Sequence, residues 1–260
     1  MNILNEIAAR TKLRVEEKKR AQGATKTNFP AQEKIALDFP FEKALRGNDV
    51  SFICEIKKAS PSKGIIAEDF SYLQIARDYE AAGAAAISVL TEPFWFHGSD
   101  AHLREISETV NIPLLRKDFT VDSFMIHEAK SLGASAILLI CSILDKTTLA
   151  EYIKIAHDIG LSALVETHDE HEIETAIAAG ARIIGVNNRD LKTFEMDLSL
   201  SERLRNLVPP DIIFVSESGI SNADDIARLR KINAHAALIG ETLMRDPDKI
   251  AGIKILRGEQ

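Results

Sequence analysis

Cysteine is scarce in this 260-residue chain, which has only Cys54 and Cys141, far apart and each within an apolar run. Such a pair is typical of reduced core thiols in a cytoplasmic protein and argues against a disulfide framework or a cysteine metal site. Long apolar runs are also missing, since none approaches the roughly 18 residues of a membrane-spanning helix. The charged first twenty residues lack the apolar centre of a signal peptide. We therefore expect a cytoplasmic chain with no membrane partner.

Excess positive charge is absent as well, because the net charge is −7 and the isoelectric point is near 5.6. This balance gives no footprint for nucleic acid. Neither a G-x-G-x-x-G motif nor a P-loop is present, so no nucleotide cofactor is indicated. His168 and His171 stand at a predicted helix start beside acidic residues, which we interpret as helix-end chemistry and not as a metal site. We expect no cofactor, no metal and no obligatory protein partner.

One unit recurs along the chain: an amphipathic helix, a turn of small residues and a short apolar strand. Glycine stands where four of these helices end, and asparagine replaces it in the last unit, as a left-handed residue after a helix requires. These positions are Gly83, Gly133, Gly160, Gly180 and Asn233. The strands are apolar throughout, which is typical of parallel strands buried on both faces.

Eight such strands are predicted, with helices between them. The strands begin near Phe52, Ala85, Pro113, Ala136, Ser162, Arg182, Ile212 and Ala236, and the helices cover 72–82, 101–109, 122–132, 147–159, 169–179, 198–206, 221–231 and about 246–257. Eight regular units predict an α/β fold, a closed (β/α)8 TIM barrel, with a doubly wound open sheet as the alternative. We expect one domain over residues 1–260.

Residues 1–50 precede the first strand and form a predicted helical N-terminal extension. Ile3, Leu4, Ile7 and Ala8 recur at helical spacing, and a second short helix is predicted at 41–46. Two interpretations stay open: a structural plug at one end of the barrel, or a cover over the active-site face.

Charged residues cluster at the predicted strand ends, where the active sites of such barrels lie. Glu55 and Lys57 end the first strand, Lys117 the third and Glu166 the fifth. Opposed charges at one mouth hold each other ionised, keeping a lysine as an acid and a glutamate as a base. The pattern therefore indicates an enzyme.

Glycine follows the last two strands, at Gly219 and Gly240, and each turn runs into a helix. Backbone N–H groups of such turns form phosphate sites in barrels of this kind, and Ser218 adds a hydroxyl. Simple turn chemistry would also choose glycine. We favour a phosphate site.

The motifs EIKKASPSKG, LRKDF, LVETH, GVNNRDL, SESGI and LIGETLM, in this order and spacing, resemble the indole-3-glycerol-phosphate synthase family. The resemblance covers the whole barrel, and a helical N-terminal extension is a feature of the family. It implies cyclisation of 1-(2-carboxyphenylamino)-1-deoxyribulose 5-phosphate with loss of carbon dioxide and water, in tryptophan biosynthesis. The partner implied is thus a phosphorylated small molecule, and the enzyme class a carboxy-lyase.

The resemblance also implies roles for single residues. Lys117 would be the general acid and Glu166 the later base, supported by Glu55 and Lys57. The implied substrate contacts are Ser60, Phe96, Phe119, Asn187, Arg189, Glu217 and Ser218, and the implied phosphate contacts are Lys57, Ser218, Gly219, Gly240 and Glu241. We expect the Glu241 N–H to face the phosphate and its carboxylate to point away.

Two alternatives remain on the sequence alone. A related ribulose-phosphate barrel, such as a phosphoribosylanthranilate isomerase, would share the phosphate turns without needing the four charged residues together. A barrel that binds phosphates without catalysis would not need them either.

Overall fold

Eight parallel strands close into a barrel in the structure, a computed structural model that describes residues 3–21, 37–190 and 193–259. The strands are β1 (Ser51–Ile56), β2 (Ala59–Ser60), β3 (Gly64–Ile65), β4 (Ala86–Leu90), β5 (Leu114–Lys117), β6 (Ala136–Ile140), β7 (Ser162–Thr167), β8 (Ile183–Asn187), β9 (Ile213–Glu217) and β10 (Ala236–Ile239). All except β2 and β3, which form a small antiparallel hairpin, belong to the barrel.

Two helices precede β1, and the helices that follow the barrel strands cover the outer face of the barrel. The helices are α1 (Ile3–Ala21), α2 (Pro40–Ala44), α3 (Tyr72–Ala81), α4 (Asp100–Ser107), α5 (Ser123–Ser131), α6 (Lys146–Asp158), α7 (Glu170–Ala178), α8 (Ser199–Leu204), α9 (Ala223–Lys231), α10 (Glu241–Arg245) and α11 (Lys249–Arg257). Short 3-10 turns follow β6 and α8. None of the helices in the described ranges is both long enough and apolar enough to cross a membrane.

The closed barrel confirms the predicted fold class, because β1 pairs in parallel with both β4 and β10. Each barrel strand begins within one residue of its predicted start. The open-sheet alternative is wrong, since such a sheet leaves two unpaired edges. Helix α10 and the β2–β3 hairpin were not predicted, because two to five residues carry too little periodicity to be recognised.

Helix ends follow the predicted turn chemistry. The residues at positions 83, 133, 160 and 180 are glycines with φ of 76°, 86°, 71° and 87°, and Asn233 has φ of 53°. This left-handed backbone is favourable for glycine and tolerated by asparagine. The turns let each helix reverse into the next buried strand.

Two apolar layers hold the molecule together. The outer layer lies between the strands and the surrounding helices. The inner layer fills the barrel with side chains such as Ile53, Leu115, Leu164 and Val215, each on the alternate positions of its strand. Because strand side chains alternate between faces, each strand serves both layers at once.

The N-terminal extension acts at both ends of the barrel. Leu4 and Ile7 of α1 pack on the inner layer from the C-terminal ends of the strands, and Arg14 pairs with Asp118 through two 2.8 Å contacts. Phe41 and Leu45, in and after α2, pack on the same layer from the opposite end. Helix α1 therefore lies at the C-terminal ends of the strands and α2 at the opposite end, while residues 22–36 lie outside the described ranges.

Arg116 is a buried cation whose role sequence reasoning did not recognise. It stands beside Lys117 on β5 but faces the helices, since neighbours on a strand point to opposite faces. Its guanidinium contacts Asp100 at 2.7 Å, Glu128 at 2.8 Å and the Met125 carbonyl oxygen at 3.0 Å. One side chain thus joins β5 to the start of α4 and to α5.

We predict that Arg116→Met lowers the free energy of unfolding by about 1–3 kcal/mol, because the half-buried Asp100 and Glu128 keep only Lys18 as a cation and the Met125 carbonyl oxygen loses its donor. Urea unfolding followed by circular dichroism measures this. Arg104→Met is the matched control: Arg104 is exposed on α4, so its loss should change the free energy by less than about 0.5 kcal/mol. Equal effects of the two variants would contradict the role given to Arg116.

Candidate active site

A cavity of about 480 Å³ opens at the C-terminal ends of the barrel strands. Its volume is in the range of small-molecule sites. Every candidate residue from the sequence lies in its wall: Glu55, Lys57, Ser60, Phe96, Lys117, Phe119, Glu166, Asn187, Arg189, Glu217, Ser218, Gly219, Gly240 and Glu241. Ile3, Leu4 and Ile7 of α1 complete the wall, so this helix covers the mouth of the barrel.

The Lys117 ammonium lies at the centre of three buried carboxylates. Its Nζ is 3.0 Å from Glu217 Oε2, 3.6 Å from Glu166 Oε2 and 4.0 Å from Glu55 Oε2. The four residues come from β5, β9, β7 and β1. Inward positions at the ends of these strands meet only because the sheet closes.

Burial alone would lower the pKa of Lys117, but Glu217, Glu166 and Glu55 together raise it above its usual range. Burial would likewise raise the pKa of Glu166, yet Lys117, His168 and Asn187 hold it at about 2. The lysine is therefore a cation and Glu166 an anion across the neutral range, which is the ionisation that acid and base roles need.

Glu217 has the opposite shift. Burial, with the repulsion of Glu166 and Glu55, outweighs the attraction of Lys117 and raises its pKa to about 7. Its second oxygen, Oε1, is buried without a hydrogen-bond partner among the described residues. Of the three carboxylates, Glu217 is thus the one that takes a proton most readily.

Glycine makes room for two of these side chains. A Cβ at Gly185 would lie 2.1 Å from Glu217 Oε1, and one at Gly240 would lie 2.5 Å from Glu55 Oε1 and 3.0 Å from Lys57 Nζ. Glu55 and Lys57 are themselves paired at 2.7 Å. Gly185 was not recognised from the sequence, because a glycine inside an apolar strand indicates a close approach without saying what approaches.

The turn after β9 is a strained segment. Ser218 and Gly219 have φ of 67° and 78°, and a left-handed serine costs about 1–2 kcal/mol. The buried Asn188 supports the turn: its amide donates to the carbonyl oxygens of Glu217 (2.9 Å) and Ser218 (3.1 Å), while its oxygen accepts from Ser201. Asn188 therefore braces the turn from outside the cavity.

Arg189 and Glu241 form part of the cavity rim. Arg189 donates to the Ser62 hydroxyl at 3.1 Å, which links the end of β8 to the tip of the β2–β3 hairpin. The Glu241 carboxylate accepts from Arg245 Nε at 3.0 Å, one turn along α10. Arg245 also lines the cavity and was not recognised from the sequence, where the pair looks like an ordinary helix-surface contact.

The aromatic wall of the cavity is formed by Phe96 and Phe119, whose ring centroids are 6.2 Å apart. Phe96 lies on a loop that the buried Glu92 holds in place, since its carboxylate accepts backbone N–H groups of Phe94, Trp95 and Phe96 at 2.8–3.1 Å. Glu92 is outside the cavity wall and organises the loop.

His168 and His171 do not form a metal pair. The His168 ring contacts Glu172, whereas His171 is exposed. Within the described ranges, no three His, Cys, Asp or Glu side chains are arranged to hold a metal ion.

We predict that Glu217→Gln stabilises the fold above neutral pH. In the unfolded chain this carboxyl ionises near pH 4.5 and in the folded chain near pH 7, so the wild type loses stability as pH rises through that window. In urea unfolding between pH 4 and 8.5, the free energy of unfolding of the variant should rise relative to that of the wild type as pH increases. The difference should reach roughly 1–3 kcal/mol at pH 8. Glu151→Gln, at an exposed position, is the control, and a pH-independent difference for Glu217→Gln would contradict the assignment.

Comparison with solved structures finds other chains with this fold. Chains that superpose include a tryptophan synthase α-subunit mutant from Pyrococcus furiosus (TM-score 0.62, 15% identity, covering 81% of this chain and 98% of that one). A thiamine phosphate pyrophosphorylase from the same organism also matches (TM-score 0.61, 16% identity, 82% and 96% covered). At these identities the likeness shows the fold alone.

Comparison by sequence is more specific. A protein of Ruminiclostridium cellulolyticum named indole-3-glycerol phosphate synthase is 58% identical over 257 residues, covering 98% of this chain and 99% of that protein. One of the same name from Endomicrobium trichonymphae is 52% identical over 244 residues, covering 94% and 95%. The family model for indole-3-glycerol phosphate synthase matches residues 4–256. The chain therefore belongs to the indole-3-glycerol phosphate synthase family.

Proposed function

We propose that the chain catalyses the reaction of its family through the four-residue cluster around Lys117. This carboxy-lyase reaction converts 1-(2-carboxyphenylamino)-1-deoxyribulose 5-phosphate to indole-3-glycerol phosphate, carbon dioxide and water in tryptophan biosynthesis. The observation that supports our assignment is the Lys117 ammonium, held within 4.0 Å of three carboxylates in the wall of an otherwise largely apolar cavity.

Lys117 is the general acid of the proposed mechanism. The aromatic carbon that bears the carboxylate attacks the ketose carbonyl, and negative charge develops on the carbonyl oxygen. A buried ammonium stabilises that charge strongly and donates the proton that makes a hydroxyl. Departure of carbon dioxide leaves its bonding electrons to restore the aromatic ring.

Glu166 is the base of the second half. Lys117 regains a proton from solvent and gives it to the hydroxyl, which leaves as water. Glu166 removes a proton from the neighbouring carbon, so that the new double bond completes the indole, and releases that proton to solvent after the reaction. Glu55 and Lys57 support these steps by fixing charge beside Lys117. Asn187 holds Glu166 through a 3.2 Å hydrogen bond to Oε1.

The phosphate is proposed to bind between the turn after β9 and the start of α10. Ser218 and Gly219 are consecutive left-handed residues, and such turns orient successive N–H groups towards an anion. Gly240 and the Glu241 N–H face them across the cavity rim in this proposal, with Lys57 nearby and with Arg245 as an added cation. The pairing of Glu241 with Arg245 reduces the repulsion that its carboxylate would exert.

The remaining contacts follow from the walls of the cavity. We assign Phe96 and Phe119 to the aromatic ring of the substrate, and Ser60, Arg189 and Glu217 to its sugar chain and carboxylate. We further infer a cytoplasmic location, which the free, buried thiols Cys54 and Cys141 support.

The purified chain should form a fluorescent indole product from the carboxyphenylamino-deoxyribulose phosphate, and Lys117→Ala should lower kcat by 100-fold or more, since a general acid contributes about 10²–10⁴-fold. Lys231→Ala, at an exposed position, is the control and should match the wild type. Circular dichroism checks that both variants fold. An inactive wild type would overturn the function, and an active Lys117→Ala would overturn the mechanism.

A pair of glycine substitutions tests the phosphate position. Ser218→Gly removes the hydroxyl at a left-handed position, and Asn233→Gly removes a polar side chain, a carboxamide, at another left-handed position outside the cavity. We expect Ser218→Gly to raise KM about 10-fold with little change in kcat, because a hydrogen bond to a charged group contributes about 1.5–3 kcal/mol. Asn233→Gly should leave both constants unchanged. Unchanged KM in Ser218→Gly would place the phosphate elsewhere.

A further inference from the structure

His168 is the first residue after β7. It lies two positions beyond Glu166, so the two side chains point to the same side of the extended segment. Glu172 of α7 holds it twice: one carboxylate oxygen, Oε2, accepts the His168 backbone N–H at 2.8 Å and lies 3.1 Å from ring Nδ1. These two contacts with Glu172 fix both the backbone and the ring of His168. The other ring nitrogen, Nε2, is buried and lies 3.4 Å from Glu166 Oε1, within ion-pair distance but without the alignment of a hydrogen bond.

Both nitrogens of the ring therefore face a carboxylate. A neutral imidazole carries one proton, so one nitrogen would direct a lone pair at a negative oxygen. The imidazolium form carries an N–H on both nitrogens and places its positive charge between the two carboxylates. The geometry thus favours the cation, and although burial alone lowers the pKa of His168, Glu166 and Glu172 raise it to about 10.

The other groups around the ring do not offset this preference. Cys141, in the turn after β6, contacts the Glu172 carbonyl oxygen at 3.6 Å, and burial with nearby carboxylates raises the pKa of its thiol to about 12, which keeps it neutral. Asn187 of β8 is uncharged. Lys117 of β5 lies on the far side of Glu166, at its other oxygen.

The two oxygens of Glu166 are thereby given different surroundings. Oε1 accepts from Asn187 and faces His168, whereas Oε2 lies 3.6 Å from Lys117 in the cavity. Oε1 cannot turn towards a substrate without breaking its contacts with Asn187 and His168. Oε2 is left as the oxygen that meets the proton to be removed.

The positive charge of His168 also influences which carboxylate of the cluster around Lys117 binds a proton. The three carboxylates around Lys117 face only two lysines, Lys117 and Lys57, so one carboxylate competes for a proton. The cation at His168 lies beside Glu166 and not beside Glu217, and it directs that proton to Glu217. An anionic substrate would strengthen the competition, since it adds negative charge to the same cavity.

We infer that His168, oriented by Glu172, is a positioning residue for the reaction: it holds Glu166 ionised, with Oε2 turned to the substrate, while the extra proton resides on Glu217. This inference rests on the proposed role of Glu166 as the base. It assigns a function to a histidine that lies between β7 and α7 and does not line the cavity.

The kinetic test compares His168→Gln, which keeps a donor but removes the charge, with His171→Gln, an exposed histidine on the same turn. We expect His168→Gln to lower kcat about 10-fold even on the plateau of the pH profile, because Glu166 Oε2 loses its orientation, with KM little changed. The acid limb of its kcat profile should move up by about one pH unit or more, the size of shift that one opposite charge produces. His171→Gln should reproduce the wild-type profile.

A second measurement does not depend on turnover. ¹⁵N NMR of the histidine rings should show His168 with both nitrogens protonated at pH 8 in the wild type. Glu172→Gln should return His168 towards ordinary titration. A His168 ring that is neutral at pH 8 in the wild type would overturn the inference, even if the enzyme is active. So would a His168→Gln profile that superimposes on the wild type, or one that lowers stability alone.

Discussion

The burial of the Lys117 ammonium among carboxylates from three other strands is the interaction on which the rest of the site depends. A buried charge is tolerated only when opposite charges and hydrogen bonds compensate its loss of hydration. Here the compensation is built from Glu55, Glu166 and Glu217, which are far from Lys117 in sequence and adjacent in space. The same compensation sets the ionisation of each partner, so that structural pairing and proposed chemistry have one physical origin.

This cluster needs space as well as charge. Gly185 and Gly240 lie where a Cβ would touch Glu217 or Glu55, so the smallest residues stand next to the charged ones. The cost of the arrangement falls on Glu217, whose proton affinity rises because it is the third carboxylate near one ammonium. Keeping Glu217 in this site lowers the stability of the fold at neutral pH. It also keeps a carboxyl group that can carry a proton next to the proposed substrate position.

Alternation along the strands separates residues that face the cavity from structural residues that look alike in sequence. Arg116 and Lys117 are consecutive cations, yet one fastens β5 to α4 and α5 while the other enters the cavity. Asn187 and Asn188 divide in the same way, one holding Glu166 and the other bracing the turn after β9. The N-terminal extension divides too, with α1 over the mouth and α2 under the opposite end.

The sequence by itself determined the number and order of the barrel strands and the long helices between them, but not the short helix α10 or the β2–β3 hairpin. Apolar runs, glycine turns and helical periodicity are local properties, and they predicted all eight barrel strands to within one residue. Strand-end position also predicted which side chains would share the cavity, because parallel strands bring their ends to one edge. The roles drawn from the family resemblance remain proposals about those side chains.

Only the tertiary structure decided the distances and therefore the proton affinities. The Lys117–Glu217 contact, the unequal surroundings of the Glu166 oxygens and the bracket of His168 by Glu172 all depend on separations of a few ångströms. Electrostatic energies change steeply over such separations, and burial changes them further. Sequence patterns specify which residues are present at a strand end, but they do not contain those separations, so the histidine first interpreted as a helix start became part of the proposed catalytic arrangement only in three dimensions.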